Sequence, residues 1–341
     1  MDKRFNPFMR FGMSSSIRTC IDDIYKAHER IKPFVHKTEI FTSTTFNNLI
    51  GRNAFFKSEN LQKTGSFKAR GALNSILILK EQNPNLPGVV THSSGNHGQA
   101  VAWAAGMAGV KSCVVIPRTA PKVKAAAIEG YGAELVFCEP NPQSRAETCA
   151  KLAKERGFEI VNSSDHYDII AGQGTMAVEL LEQVPDLDAI LVSASGGGMI
   201  SGISIAAKSI KKDIKVFMVE PEGKMAEKCI RSGERLWPNP PKFLDTIADG
   251  IILQQLGHLT FPIICDLVEK DVFTLRNEDM IKGMKFMLQH MKLVVEAAAG
   301  ATVAAAMSDK LKQMDPNMKN IGIILCGGNV DINSLPWYPH C

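Results

Sequence analysis

The chain has 341 residues, of which 45% are hydrophobic and 22% charged, and its formal net charge is +4. This apolar content is typical of a globular protein with a large core, so a disordered regulator is excluded. The longest apolar runs, such as residues 299–307, fall far short of the ~20 residues that a transmembrane helix needs. The positive charge is not gathered into a basic block. We therefore expect neither a membrane protein nor a protein that mainly binds nucleic acid.

The eight cysteines are spread so widely that no two lie closer than eleven residues apart. This spacing contains no CxxC pair, so a zinc site of the usual kind is not expected. Residues 1–16 lack an apolar stretch of the length of a signal peptide. Both observations predict a cytoplasmic protein with reduced thiols.

Short β-branched runs alternate with longer helical patterns along the chain. Such alternation predicts parallel βαβ units and an α/β fold with doubly wound sheets. Ligands of these folds lie at the carboxyl ends of the strands, so the residues that follow each strand matter most. The predicted strands are 53–59, 88–94, 112–117, 133–139, 158–164, 188–195, 214–222 and 320–326, and the predicted helices are 66–80, 95–109, 122–132, 144–157, 169–184 and 277–295.

The first informative junction, QKTGSFKARGA, covers residues 62–72. A turn at Thr64-Gly65 is followed by Ser66, which is a suitable N-cap residue. Lys68 then lies in the first helical turn, where the positive end of the helix disfavours a protonated amine. A lysine that loses its proton easily suits a nucleophile or a base. The alternative is an ordinary lysine on the protein surface.

Three further junctions are rich in glycine or hydrogen-bond donors. THSSGNHGQA (91–100) begins a helix with several donors, which suits a carboxylate or a phosphate, although a plain capping turn has the same pattern. SASGGGMISG (193–202) lets backbone N–H groups approach an anion, and it matches neither GxGxxG nor GxxxxGK[ST]. In ILCGGNVDIN (324–333), Cys326 ends a strand, and alone it indicates only a buried thiol.

Together the four junctions supply what pyridoxal phosphate requires of a protein: a lysine, a phosphate cradle, carboxylate donors and a group for the ring. The motifs SFKARG, SSGNHG, SGGGM and CGGN, in this order, closely resemble the fold-type II pyridoxal-phosphate enzymes, which include serine and aspartate racemases and serine/threonine dehydratases. The resemblance implies a fold like the β subunit of tryptophan synthase, with two doubly wound domains and the cofactor in their cleft. The large domain would comprise residues 1–87 plus 163–341, and the small, mobile domain residues 88–162.

The resemblance also implies roles for single residues. Lys68 would bind the cofactor covalently and act as a base on one face of the substrate, and Ser94 would act on the other face. Cys326 would face the pyridine nitrogen as a neutral partner, which suits racemisation or β-elimination rather than transamination. The full cofactor set is Phe67, Lys68, Asn96, Ser195, Gly196, Gly197, Gly198, Met199, Gly250 and Cys326, and the substrate set is Ser93, Ser94, Asn96, His97, Arg145 and Ser164.

Departures from the family pattern favour aspartate over serine as the substrate. Leu253 stands where serine racemases have a serine, and Ala146 replaces a glutamate beside Arg145, which leaves that arginine free for a second carboxylate. Asp165 argues against this interpretation unless it points away or pairs with its neighbour His166. We therefore expect an amino-acid racemase that prefers aspartate and has some β-elimination activity. The alternatives are a serine racemase, a serine/threonine dehydratase, or a non-catalytic nucleotide-binding protein.

The resemblance also implies two accessory sites, which this sequence matches only in part. Glu220 matches a carboxylate that binds a divalent cation, and hard oxygen ligands suit Mg²⁺ or Ca²⁺. The second carboxylate would be Glu222 or Glu227, with Glu227 preferred. An activating nucleotide of the ATP or AMP type would bind at the interface of a homodimer, through Lys63, Thr64, Gln99, Tyr131 and Lys292.

Overall fold

The computed structural model describes residues 19–337. The expected lack of a signal peptide in residues 1–16 and the two ends of the predicted large domain (1–18 and 338–341) lie outside these residues. The helices are α1 (Ile21–Ile31), α2 (Thr44–Ile50), α3 (Lys68–Gln82), α4 (Asn96–Ala108), α5 (Lys122–Gly130), α6 (Pro142–Arg156), α7 (Tyr167–Gln183), α8 (Gly198–Ile210), α9 (Ala226–Ser232), α10 (Thr260–Leu267), α11 (Asn277–Phe286), α12 (Ala297–Met307) and α13 (Asp309–Gln313). The strands are β1 (Ile40–Phe41), β2 (Asn53–Lys57), β3 (Val89–His92), β4 (Ser112–Pro117), β5 (Glu134–Cys138), β6 (Glu159–Ile160), β7 (Ala189–Ser193), β8 (Lys215–Pro221), β9 (Phe273–Leu275) and β10 (Asn320–Ile324).

Six strands form the larger sheet in the order β1-β2-β10-β7-β8-β9. Only β1 runs antiparallel to its neighbour, and the other pairs are parallel. β7 is buried along its whole length, as expected of a parallel strand covered by helices on both faces. Because β2, β10 and β7 are neighbours, the junctions that follow them meet at one edge of the sheet.

The smaller sheet has four parallel strands in the order β5-β4-β3-β6, all of them between residues 89 and 160. The junction after β3 opens α4 with the SSGNHG motif. The α/β fold with two doubly wound units is thus confirmed. The domain boundaries at residues 88 and 162 stay a prediction.

Close contact between α3 and α7 fixes the position of the SFKARG motif. A Cβ atom on Gly172 would lie 2.6 Å from the Cα atom of Gly71, so both helices need glycine at their crossing. Directly before Gly71, the buried Arg70 donates to Glu59 and Glu179 over 2.8 Å. These contacts hold the first turn of α3, which contains Lys68.

Several predicted elements differ from the structure in length. The run 158–164 forms a strand only at 159–160, because the following residues turn toward α3. The predicted helix 277–295 ends at Phe286 and continues as a π-helix to Met291, where Lys292 has a positive φ of 60°. Helix α12 has no counterpart among the predicted helices, because its alanines are buried on all sides and show no amphipathic period. Among residues 19–337, no helix combines the length and apolar character needed to cross a bilayer.

Candidate active site

Lys68 lies half-buried at the start of α3. Its Nζ donates to the backbone oxygen of Ser163 over 2.5 Å and lies 5.2 Å from the centre of the Phe67 ring. Burial lowers the pKa of Lys68 to about 8, although the nearby Cys326 and Glu296 partly oppose this shift. An amine with this pKa exchanges its proton readily near neutral pH, as a nucleophile or a base requires.

The glycine loop, residues 195–199, follows β7 and forms the N-terminus of α8. Gly197 adopts the left-handed conformation with φ of 97°, and a Cβ atom there would lie 2.7 Å from Thr260 Oγ1. The carbonyl of Gly196 is fixed by the backbone N–H of Gly257 (2.9 Å) and by the Thr260 hydroxyl (2.6 Å). The first turn of α8 therefore offers several backbone N–H groups that have no acceptor within the helix, which is a suitable site for an anion.

Residues 163 and 164 connect Lys68 to the glycine loop. Ser163 accepts the hydrogen bond from Lys68, and Ser164 packs so closely on the loop that a Cβ atom on Gly196 would lie 2.3 Å from its Oγ. The amine and the predicted anion site are therefore neighbours. Ser164, which the sequence analysis assigns to the substrate, lies against the glycine loop.

Asn96 is held in the pocket by a network of side chains. Its Nδ2 donates to both oxygens of Glu296 (2.8 and 3.1 Å), and its Oδ1 accepts from Asn329 over 2.9 Å. Gly250 lies against the same carboxylate, since a Cβ atom there would be 3.1 Å from Glu296 Oε1. Glu296 and Asn329 are site residues that the sequence analysis does not assign.

Cys326 is buried just beyond the end of β10, one of the two central strands of the larger sheet. Because β10 and β7 are neighbours, its Sγ lies 3.6 Å from Ser193 Oγ, and it also lies 3.6 Å from Glu296 Oε1. Its backbone oxygen accepts from the Phe67 N–H over 3.0 Å. Burial raises the pKa of Cys326 well above its usual range, so the thiol stays neutral as the resemblance implies.

Ser94 and Arg145 lie on the side of the smaller sheet. The guanidinium Nη2 of Arg145, on α6, is 3.4 Å from Ser94 Oγ, so these two predicted substrate residues are brought together. Burial lowers the pKa of Arg145, and among residues 19–337 no carboxylate forms an ion pair with it. Ser93, the neighbouring residue, accepts from the Gly95 N–H over 3.4 Å.

The imidazole of His97 is turned toward the protein interior. Its Nε2 lies 3.1 Å from the backbone oxygen of Val161, and burial lowers its pKa to about 3. The neutral ring therefore donates to that carbonyl. His97 offers the pocket its backbone N–H at the start of α4 rather than its side chain.

Asp165 does not repel a substrate in the way the sequence suggests. Its carboxylate accepts from the backbone N–H groups of His258, Leu259 and Thr260 at 2.9 to 3.2 Å. It therefore caps the N-terminus of α10 and does not pair with His166. Asp165 therefore does not oppose the binding of an acidic substrate.

The described residues fit pyridoxal phosphate. A Cβ atom at Gly196, Gly197 or Gly198 would lie 2.3 to 2.7 Å from Ser164 or Thr260, so these positions require glycine, and the N–H groups at the start of α8 suit an anion such as the phosphate. Lys68 lies beside that loop for covalent attachment, and the neutral Cys326 thiol and the Asn96 amide, which both contact Glu296, would serve the ring. These observations support the cofactor residues predicted from the resemblance, and their individual roles stay predictions.

The predicted divalent-metal site does not fit. Both oxygens of Glu220 are engaged, one by the Ala226 N–H and the other by the Thr274 hydroxyl, each at 3.0 Å. Glu227 instead pairs with Arg231 over 2.8 Å. Among residues 19–337 no group of three or more His, Cys, Asp or Glu side chains could hold a metal ion. The side chain buried near Glu220 is Lys224, and burial lowers the pKa of its amine to about 7 although the attraction to Glu220 opposes this shift.

The residues predicted to bind a nucleotide lie on different elements. Lys63 and Thr64 form a 3₁₀ turn that packs against α4, the helix that carries Gln99. Thr64 has a positive φ of 58°, and its buried hydroxyl has no hydrogen-bond partner in the part of the chain that is described. Tyr131 follows α5, and the Lys292 amine donates to the Gln289 carbonyl.

We predict that Glu296 makes stability depend on pH in the cofactor-free protein. Burial raises the pKa of Glu296 to about 7 from its ordinary 4.5, so the folded state binds its proton more tightly than the unfolded state. This contribution is complete below pH 4.5 and is lost as the pH rises through about 7. Glu296→Gln should therefore show a smaller fall in the urea midpoint between pH 5 and 7.5 than the wild type. Parallel pH profiles for the two proteins would contradict this assignment.

Comparison with known proteins agrees with this geometry. The family model for pyridoxal-phosphate dependent enzymes matches residues 31–327. The chain is 44% identical to the serine racemase of Mus musculus, over 92% of this chain and 93% of the relative, and 42% identical to the L-threo-3-hydroxyaspartate ammonia-lyase of Saccharomyces cerevisiae, over 91% and 93%. A solved pyridoxal 5'-phosphate-dependent aspartate racemase superimposes with a TM-score of 0.93 at 62% identity, covering 94% of this chain and 99% of that one. This chain belongs to the family of pyridoxal-phosphate-dependent enzymes.

Proposed function

We propose that this enzyme is an amino-acid racemase that interconverts L- and D-aspartate in preference to serine, with β-elimination as a side activity. The observation that carries the proposal is the contact of the Arg145 guanidinium with Ser94, two residues that the resemblance assigns to the substrate. The similarity to an aspartate racemase and to serine racemases supports the reaction type.

The chemistry divides between two proton-carrying groups. When bound, pyridoxal phosphate supplies an electron sink that acidifies the α-hydrogen of the substrate. Lys68, whose pKa is about 8, would take or return that proton on one face. Ser94 would do the same on the other face. A hydroxyl is a weak base, and the adjacent Arg145 guanidinium favours its ionised form because opposite charges attract.

Arg145 is also the group that would recognise the second carboxylate of aspartate. It is partly desolvated and has no carboxylate partner among the described residues. A guanidinium can bind a carboxylate through two parallel hydrogen bonds. Serine lacks that carboxylate and would gain nothing from this contact.

Arg145→Ala should lower kcat/KM for aspartate by about 10- to 100-fold more than kcat/KM for serine, since a hydrogen bond to a charged group contributes ~1.5–3 kcal/mol. Arg156→Ala is the matched control, because Arg156 lies on the same helix and pairs with the exposed Glu134. It should leave both values unchanged. A wild-type preference for serine, or equal losses with both substrates, would reject the aspartate assignment.

Ammonia-lyase activity is the second candidate, and the yeast hydroxyaspartate ammonia-lyase relative favours it. A neutral Cys326 suits elimination as well as racemisation. Separation of enantiomers alongside a keto-acid assay on L-aspartate, L-serine and L-threonine distinguishes the two activities. Keto acid without any D-enantiomer would identify a lyase.

We also propose that residues 88–162 close on the substrate as a small domain. All strands of the smaller sheet come from this segment, and both Ser94 and Arg145 belong to it, whereas Lys68 and the glycine loop belong to the other part. Closure would exclude water and strengthen the electrostatic interactions of the site. Small-angle scattering with and without a substrate analogue tests this by the radius of gyration.

An ATP- or AMP-type nucleotide is proposed as an activator at the interface of a homodimer. The buried, unpartnered Thr64 hydroxyl supports the nucleotide, and calorimetric titration with AMP and ATP tests it. An apolar cavity lined by the exposed Leu288, Val294 and Ile332 supports the dimer, which sedimentation equilibrium tests.

A cytoplasmic location is proposed on the basis of the cysteines. The seven cysteines in the described range are free thiols, as expected in a reducing compartment. Fractionation of the source cells tests the location.

A divalent cation is not part of the proposal, because the surroundings of Glu220 do not fit one.

A further inference from the structure

Lys224 is a fully buried lysine outside the predicted site. It lies between β8 and α9 with no exposed surface. Its Nζ donates to the backbone oxygens of Ser195 (2.8 Å) and Leu253 (2.5 Å), and the backbone oxygen of Gln254 lies at 3.4 Å. An ammonium has three N–H donors, so these carbonyls match its full donor capacity.

The buried Glu220 favours the charged form of this amine, whose pKa burial lowers to about 7. The Glu220 carboxylate is itself buried, and its attraction to Lys224 opposes the effect of burial on both groups. Carbonyl oxygens and a nearby carboxylate are the ligands that a hard metal ion prefers. Here the Lys224 amine occupies that environment.

The carbonyls that Lys224 binds belong to two segments of the pocket. Ser195 begins the glycine loop, and residues 253–254 precede Gly257, whose N–H fixes the Gly196 carbonyl. The ammonium therefore ties the loop to the segment that shapes it. Its own backbone is anchored as well, since Trp237 Nε1 donates to the Lys224 carbonyl over 2.5 Å.

We propose that the Lys224 ammonium takes the place of a divalent cation beside Glu220 and holds the glycine loop in the shape that binds the cofactor phosphate. The enzyme then needs no divalent metal at this position. The inference rests on the pyridoxal-phosphate family and not on the identity of the substrate. The Lys224 proposal is tested by cofactor affinity and metal binding, whereas the racemase assignment is tested by activity. Either one can therefore fail while the other holds.

Replacement of Lys224 by methionine should weaken cofactor binding. The variant keeps a long unbranched side chain but leaves buried carbonyls unpaired and the Glu220 charge uncompensated. We expect the dissociation constant of pyridoxal phosphate, measured by equilibrium dialysis, to rise at least ~10-fold, because one lost hydrogen bond to a charged group costs ~1.5–3 kcal/mol. Lys228→Met is the matched control, since Lys228 is exposed on the adjacent helix, and it should bind the cofactor as the wild type does.

The metal is tested on the wild-type holoenzyme, so the result does not depend on a variant that folds. After treatment with a chelator, calorimetric titration with Mg²⁺ and with Ca²⁺ should give the same result for the wild type and for Glu220→Gln, because neither ion binds at Glu220. The melting temperature should be the same in excess chelator and in excess of either ion, because a ligand stabilises a protein only by binding its folded state. Glu220-dependent binding of either ion, or unchanged cofactor affinity in Lys224→Met, would overturn the proposal.

Discussion

Replacing Lys68 with alanine is expected to remove covalent attachment of the cofactor and to lower racemisation by at least ~10³-fold, because the same amine is the attachment point and one of the two bases. Its position in the pocket, 2.5 Å from the Ser163 carbonyl and with a pKa lowered to about 8, suits both roles. Mass spectrometry after borohydride reduction measures the attachment, and chiral separation of aspartate measures the rate.

The fold of the Lys68→Ala variant should survive, because α3 is held by other contacts. Arg70 keeps its bonds to Glu59 and Glu179, and the Phe67 N–H keeps its bond to Cys326. Lys80→Ala, near the end of the same helix, is the matched control and should keep both the attachment and the rate. Borohydride-stable cofactor in Lys68→Ala would show that another amine carries it.

The sequence predicts the sheets and the junctions well because these depend on local pattern. Runs of β-branched residues predict the parallel strands, and parallel strands bring their carboxyl ends to one edge. The four motifs therefore meet as expected, and Cys326 reaches Ser193 because β10 lies beside β7. The sheets and the four junctions are predicted correctly because local sequence pattern decides them.

The remaining site residues depend on contacts between distant parts of the chain. Glu296 is a single acid in the apolar run LVVEAAAG, a signal that could have been noticed, but its bond to Asn96 spans 200 residues. The same dependence on distant contacts explains why the sequence predicts a metal site at Glu220 that the structure does not fit. The sequence shows a carboxylate after a strand, and only the fold shows that Lys224 turns back to the glycine loop.

Ser94→Ala is expected to lower racemisation by about 10²- to 10⁴-fold, the usual contribution of a positioned proton-transfer group. Lys68 remains in the variant, so proton transfer on its own face should continue. In deuterium oxide the variant should therefore exchange the α-hydrogen of one enantiomer only, whereas the wild type exchanges both. β-Elimination, which needs one base for the α-proton, should fall much less than racemisation. Proton NMR and a keto-acid assay measure the two quantities.

The comparison variant for Ser94→Ala is Ser93→Ala, which removes the neighbouring hydroxyl on the same turn. Ser93 is predicted to hold the substrate carboxylate, so its loss should slow exchange of both enantiomers together and preserve their ratio. Ser94→Thr keeps a hydroxyl beside Arg145 and should restore part of the exchange of the second enantiomer. Proportional loss of both exchange rates and of elimination in Ser94→Ala would mean that Ser94 only binds the substrate. The second base would then have to be sought among other groups facing the pocket.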